Sequence, residues 1–126
     1  MKIGHAALYV RDLEGARDFF ARWLGGTAGP LYHNRATGFR SYFLTFGDGA
    51  RLELMTRPGL GEGGAAPCAG WAHLAFSLGS REEVDRLTRA LEGAGYPVLS
   101  GPRVTGDGYY ESCVAGPEGA VLELTV

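Results

Sequence analysis

Gly49-Ala50-Arg51-Leu52-Glu53-Leu54 returns, at an offset of 70 residues, as Gly119-Ala120-Val121-Leu122-Glu123-Leu124. An internal repeat of this kind governs the reading of the whole chain. Upstream, His5-Ala6-Ala7-Leu8-Tyr9-Val10 matches His73-Leu74-Ala75-Phe76-Ser77-Leu78 at an offset of 68, which also carries Gly25 onto Gly93. Gly38-Phe39 matches Gly108-Tyr109 at the later offset of 70. Between the copies lies Pro58-Gly59-Leu60-Gly61-Glu62-Gly63-Gly64-Ala65-Ala66-Pro67, whose Gly and Pro content reads as a linker. The chain is therefore expected to be one domain of two modules, residues 1–57 and 71–126, joined by a linker over 58–70.

Each copy reads as strand, helix, then strands. Ile3 to Val10 alternates as a strand. Asp12 is a suitable N-cap. Ala16, Phe19, Phe20, Trp23 and Leu24 then recur at helical spacing, and Gly25 can take the left-handed conformation at the end. In the second copy Ser80-Arg81-Glu82-Glu83 has the capping-box pattern. Val84, Leu87, Ala90, Leu91 and Ala94 form the stripe that follows. Tyr42–Phe46 and Arg51–Met55 are β-like runs around a Gly47-Asp48-Gly49 turn. Their counterparts are Glu111–Ala115 and Val121–Thr125, joined through Gly116-Pro117-Glu118-Gly119. Residues 27–37 read as irregular, with at most a short strand.

Composition excludes several classes. Gly accounts for 21 of 126 residues with no collagen-like period, which points to many tight turns. A formal charge of −2 gives no reason to expect a nucleic acid or an anionic membrane as partner. No apolar run reaches the length of a membrane span, and the N-terminus lacks the apolar stretch of a signal peptide. Cys68 and Cys113 are far apart in sequence, so a reduced, cytoplasmic chain is expected. Cys113, inside a strand run, reads as a small buried apolar residue.

Alternation along the strands singles out four residues. Glu53 and Glu123 are each flanked by leucines, so their carboxylates face away from the helix-packed side. His5 and His73 lie in strands whose other face is apolar. Two imidazoles and two carboxylates gathered on one face repel and desolvate one another unless a cation compensates. That set suits a borderline or hard first-row ion with water in its open positions. His5, Glu53, His73 and Glu123 are thus candidate ligands of one divalent metal. Tyr9 shares the face of His5. His33 reads as a solvated loop residue, and Arg40, Arg57 and Arg103 as cations able to meet an anion. Thr105-Gly106-Asp107-Gly108-Tyr109-Tyr110 is either a lid or a hairpin loop, and its glycines lack the strand-to-helix context of a phosphate loop.

The chain resembles the vicinal oxygen chelate superfamily, which includes glyoxalase I, fosfomycin-resistance proteins and extradiol dioxygenases. The resemblance rests on Ile3-Gly4-His5 through Leu13, Arg51-Leu52-Glu53-Leu54, Gly70-Trp71-Ala72-His73-Leu74-Ala75-Phe76, and Gly116-Pro117-Glu118-Gly119-Ala120-Val121-Leu122-Glu123-Leu124. It implies an α+β fold of tandem βαβββ modules, with cupped mixed sheets and helices outside. It also implies a homodimer acting on a small molecule. The four-ligand set is most similar to glyoxalase I, which implies nickel, cobalt or zinc ahead of manganese or iron, and a lyase or isomerase that stabilises an enediolate. It casts Glu123 as the proton-moving base, with Glu53 as second choice. Tyr9, Arg57 and Tyr110 are the expected substrate-binding residues. Bacterial glyoxalase I carries Arg where Tyr9 stands and Asn where Arg57 stands, both gripping glutathione, so a different substrate is expected. Two rival readings share the fold: a metal-free drug- or metabolite-binding resistance protein, and an Fe(II) extradiol-type dioxygenase.

Overall fold

The computed structural model describes residues 4–61, 71–106 and 108–126. Residues 62–70 of the expected linker, with Cys68, lie outside them, as do residues 1–3 and Asp107. The chain divides into two compact units, Met1–Glu62 and Gly63–Val126.

In the first unit β1 (Ala6–Tyr9) leads to α1 (Leu13–Leu24), then β2 (Thr27–Ala28), β3 (Tyr32–Asn34), β4 (Phe39–Thr45) and β5 (Arg51–Thr56). The sheet runs β1-β5-β4-β2, with β3 also on β4. β1 lies parallel to β5 and the other pairs are antiparallel. α1 starts where the Asp12 carboxylate accepts the Gly15 N–H at 2.9 Å, and it ends at Gly25, which takes φ 70°. Leu13, Ala16, Phe19 and Phe20 are its buried stripe. Helix α1 packs on β4 and β5, whose Tyr42, Leu44, Leu52 and Leu54 are buried with it.

The second unit repeats the plan. β6 (Leu74–Ser77) leads to α2 (Arg81–Gly93), β7 (Val98–Val104), β8 (Tyr110–Ala115) and β9 (Val121–Thr125). The sheet order is β6-β9-β8-β7, again with one parallel pair, β6 on β9. Val84, Leu87, Thr88 and Leu91 of α2 are buried, as are Val114, Leu122 and Leu124 of the sheet beneath. Each fully buried leucine contributes roughly 1.5–3 kcal/mol relative to exposure. The α+β architecture of two βαβββ modules, each with a mixed sheet carrying its helix on one face, is as expected.

Several details differ from the sequence reading. Val98–Val104 is a strand although Pro102 and Gly101 interrupt its pattern; its ladder to β8 shifts register twice to accommodate them. The irregular stretch 27–37 contains β2 and β3, which pair with the two ends of β4 and together match the single strand β7. Gly93 closes α2 from within, and the left-handed residue is Gly95, at φ 93°. Ser80 accepts the Glu83 N–H at 3.2 Å, but the Glu83 carboxylate turns to Arg86 at 2.7 Å instead of back to the cap. That guanidinium holds the Glu83 carboxyl below the usual carboxylate range. β7 and β8 form a hairpin that Thr105 and Tyr109 close: the Thr105 hydroxyl accepts from the Tyr109 N–H, and the Thr105 N–H donates to the Tyr109 carbonyl.

Candidate metal centre

Strand register decides where the two glutamates point. In the first unit Glu53 stands opposite Ala7 on β1 and Phe43 on β4; in the second, Glu123 stands opposite Ala75 on β6 and Cys113 on β8. Partners in register share a face. The flanking Leu52, Leu54, Leu122 and Leu124 are buried beneath the helices, so both carboxylates lie on the face that the helix leaves open.

The histidines immediately precede β1 and β6, and each reaches the carboxylate of its own unit. His5 Nε2 is 3.6 Å from Glu53 Oε2, with side chains 40% and 17% exposed. His73 Nε2 is 3.2 Å from Glu123 Oε2, with side chains 43% and 17% exposed. Ligands at about 2.0–2.2 Å from one ion stand roughly 3.0–3.6 Å apart in tetrahedral or octahedral geometry. Both pairs already have that separation. The sheltered carboxylate with a half-open imidazole also leaves an approach for an ion and a substrate. The donor chemistry therefore fits a divalent metal.

The surroundings of the two pairs differ. Phe43 sets its ring edge-on to His5, with centroids 5.2 Å apart at 84°, and the Arg51 guanidinium lies 5.1 Å from the Phe43 centroid. In the second unit the place of Phe43 is taken by Cys113, and that of Ser41 by Glu111. Donor atoms of Glu111, Cys113 and Glu123 all lie within 4.8 Å of one another, and all three residues are half-buried. Cys113 is thus not the buried apolar residue that its strand context suggested, because it lies on the carboxylate side of β8 and not the leucine side. Sequence reasoning passed over Glu111 altogether. The signal was present: Glu111, Cys113, Ala115 is the alternation that puts Glu111 on the face of Glu123.

The remaining candidates scatter. Tyr9 is 44% exposed and lies across from Met55, on the face of Glu53. Arg57 is exposed just after β5. Tyr110, expected at the substrate, is on the opposite face: its hydroxyl donates to Asp85 of α2 at 2.6 Å, and that bond raises its pKa above the usual phenol value. The correction follows from strand parity, since Tyr110 alternates with Glu111. Arg40 likewise turns to the helix side and pairs with Glu14 at 3.2 Å. Arg103 reaches to 3.8 Å from Glu111. His33 is exposed on β3.

The sequence profile of the glyoxalase, bleomycin resistance protein and dioxygenase superfamily matches residues 2–124. The chain belongs to this superfamily. A relative, the uncharacterised protein YqjT of Bacillus subtilis, is 30% identical over 128 residues, covering 95% of this chain and 94% of its own. Among solved structures, the trypanothione-dependent glyoxalase I of Leishmania major superposes with a TM-score of 0.79 at 20% identity, covering 99% of this chain and 86% of that one. The fosfomycin resistance protein FosX of Listeria monocytogenes, solved with Mn(II) and sulfate, superposes with a TM-score of 0.75 at 17% identity, covering 99% and 91%. Both likenesses show the fold, and the superfamily contains enzymes of the glyoxalase I kind. Among the described residues no helix is long and apolar enough to cross a membrane.

Proposed function

We propose that this protein is a divalent-metal-dependent lyase or isomerase of glyoxalase I type, with His5, Glu53, His73 and Glu123 as metal ligands. The observation that carries the reading is the duplicated His–Glu pair, at 3.6 Å and 3.2 Å in equivalent positions of the two modules. One pair supplies two donors, whereas such ions take four to six ligands. Both pairs are therefore proposed as ligands of divalent metal. When bound, the ion supplies Lewis-acid stabilisation of negative charge developing on substrate oxygen.

The protein's own residues supply the rest. Glu123, sheltered and adjacent to His73, is the first candidate to take a proton from the carbon beside a carbonyl, and Glu53 the second. Tyr9 on the open face and Arg57 beyond β5 are the groups that meet the substrate. Where glutathione-dependent relatives place Arg and Asn, Tyr9 offers a ring and a hydroxyl and Arg57 a bidentate cation, which favours a small oxygenated or thiol-conjugated substrate bearing a carboxylate or phosphate.

The test is metal content per chain by elemental analysis of the native protein and of His5→Ala and His73→Ala, followed by isomerase assays on hemithioacetals of several thiols. The expected result is about one equivalent that falls in both variants, with turnover that follows the metal. Absence of metal after reloading would overturn the reading in favour of a metal-free binding protein of the same fold. Oxygen consumption on a catechol with bound iron would overturn it in favour of a dioxygenase.

A further inference from the structure

Cys113 stands directly across the β8–β9 ladder from Glu123, and Glu111 lies two residues along the same strand and face. One donor atom from each of Glu111, Cys113 and Glu123 falls within 4.8 Å of the others. Independently, His73 Nε2 lies 3.2 Å from Glu123 Oε2. Glu123 is therefore common to both groupings. Zinc-sized ions hold sulfur at about 2.3 Å and nitrogen or oxygen at about 2.0–2.2 Å, which puts neighbouring donors roughly 3–4 Å apart. Binding therefore requires Glu111, Cys113 and Glu123, all half-buried, to rotate toward one another.

Packing gives no reason for sulfur at this position. The neighbours Ser112 and Val114 are wholly buried toward the helix, whereas Cys113 looks the other way, between two carboxylates. The matching residue of the first module, Phe43, is a ring set against His5. In that module only His5 and Glu53 offer donors at the corresponding places. A thiol grouped with two carboxylates, one of them paired with a histidine, is a candidate ligand set, and thiolate is the softest donor in it.

Resting on the metal reading above, we infer that Cys113 Sγ is a direct ligand of the ion held by His73 and Glu123. The second module then carries a mixed nitrogen, oxygen and sulfur donor set that selects zinc or cobalt over manganese or magnesium. On binding, the S–H bond is replaced by a sulfur–metal bond and the proton passes to solvent, with no change of oxidation state. Glu111 is the least committed of the carboxylates, because Arg103 Nη2 also approaches it, at 3.8 Å.

The experiment is cobalt(II) loading of the purified full chain, read by its near-ultraviolet thiolate-to-cobalt charge-transfer absorption. It is run on the native protein and on Cys113→Ser, Cys113→Ala and Cys68→Ser, each checked for a native circular dichroism spectrum. The expected result is a band in the native protein and in Cys68→Ser. Both Cys113 variants lose it yet still bind cobalt, at least about tenfold more weakly. Their zinc-to-manganese affinity ratio falls as well. Cobalt bound without the band, or a band that survives in the Cys113 variants, would refute the ligand role and leave the metal reading intact. No cobalt bound by the native protein would refute both.

Discussion

The two modules share a backbone plan but differ in what they place at matched positions. Beneath the helices, Phe20 and Tyr42 of the first module correspond to Thr88 and Ser112 of the second. The first module fills this part of its core with aromatic rings, and the Tyr42 hydroxyl reaches the Arg17 guanidinium at 3.2 Å. The second buries two hydroxyls that satisfy each other at 2.6 Å, with the Thr88 hydroxyl also 2.6 Å from the Val84 carbonyl. On the open faces, Ser41, Phe43 and Arg51 correspond to Glu111, Cys113 and Val121. What stays constant is the leucine pair around each glutamate and the His–Glu pair itself. Duplication therefore preserved the register that aims the glutamates, while everything around them was free to specialise.

If the constant part is the proposed set of metal ligands, Glu53→Ala and Glu123→Ala each lower divalent-metal affinity by more than about a hundredfold in isothermal titration. A variant with native affinity would remove that glutamate from the set. The leucines should prove equivalent too. Leu54→Ala and Leu124→Ala, both at fully buried sites, are each expected to cost about 2–5 kcal/mol in urea unfolding. Two separate transitions, one responding to each mutation, would show that the modules unfold independently. The variable part of the core should be unequal. Phe20→Ala is expected to cost about 3–5 kcal/mol. Ser112→Ala should cost only about 1 kcal/mol, because the Thr88 hydroxyl keeps its bond to the Val84 carbonyl. The smallest effect falls on the helix starts. Asp12→Ala and Ser80→Ala each remove one bond to a terminal N–H and are expected to cost about 1 kcal/mol, read as a lowered Tm.

Two turns show a further contrast. Gly25 and Gly101 have nearly the same φ, 70° and 77°. A Cβ at Gly25 meets open space, whereas one at Gly101 would lie 2.5 Å from the Glu111 carbonyl oxygen and 3.0 Å from Ser112 Cα. The first position asks only for a left-handed conformation; the second also asks for room against the strand that carries Glu111 and Cys113.

Much of this was legible in the chain itself. The repeat, the helical stripes and the leucines flanking Glu53 and Glu123 follow from periodicity, because burial on one face imposes a period of 3.6 or 2 on the residues. Strand β7 was not legible, since Gly101 and Pro102 break its alternation and only pairing with β8 makes it a strand. The side on which Tyr110 and Arg40 fall was hidden for a related reason. Strand parity puts both on the helix side once the strand bounds are known, and there each has a charged partner on a helix, Asp85 or Glu14. Alternation put Glu111 and Cys113 on one face of their strand, but tertiary structure decided that this face meets Glu123. Those residues come from different strands, and only the β8–β9 register, a long-range property of the folded sheet, brings them together.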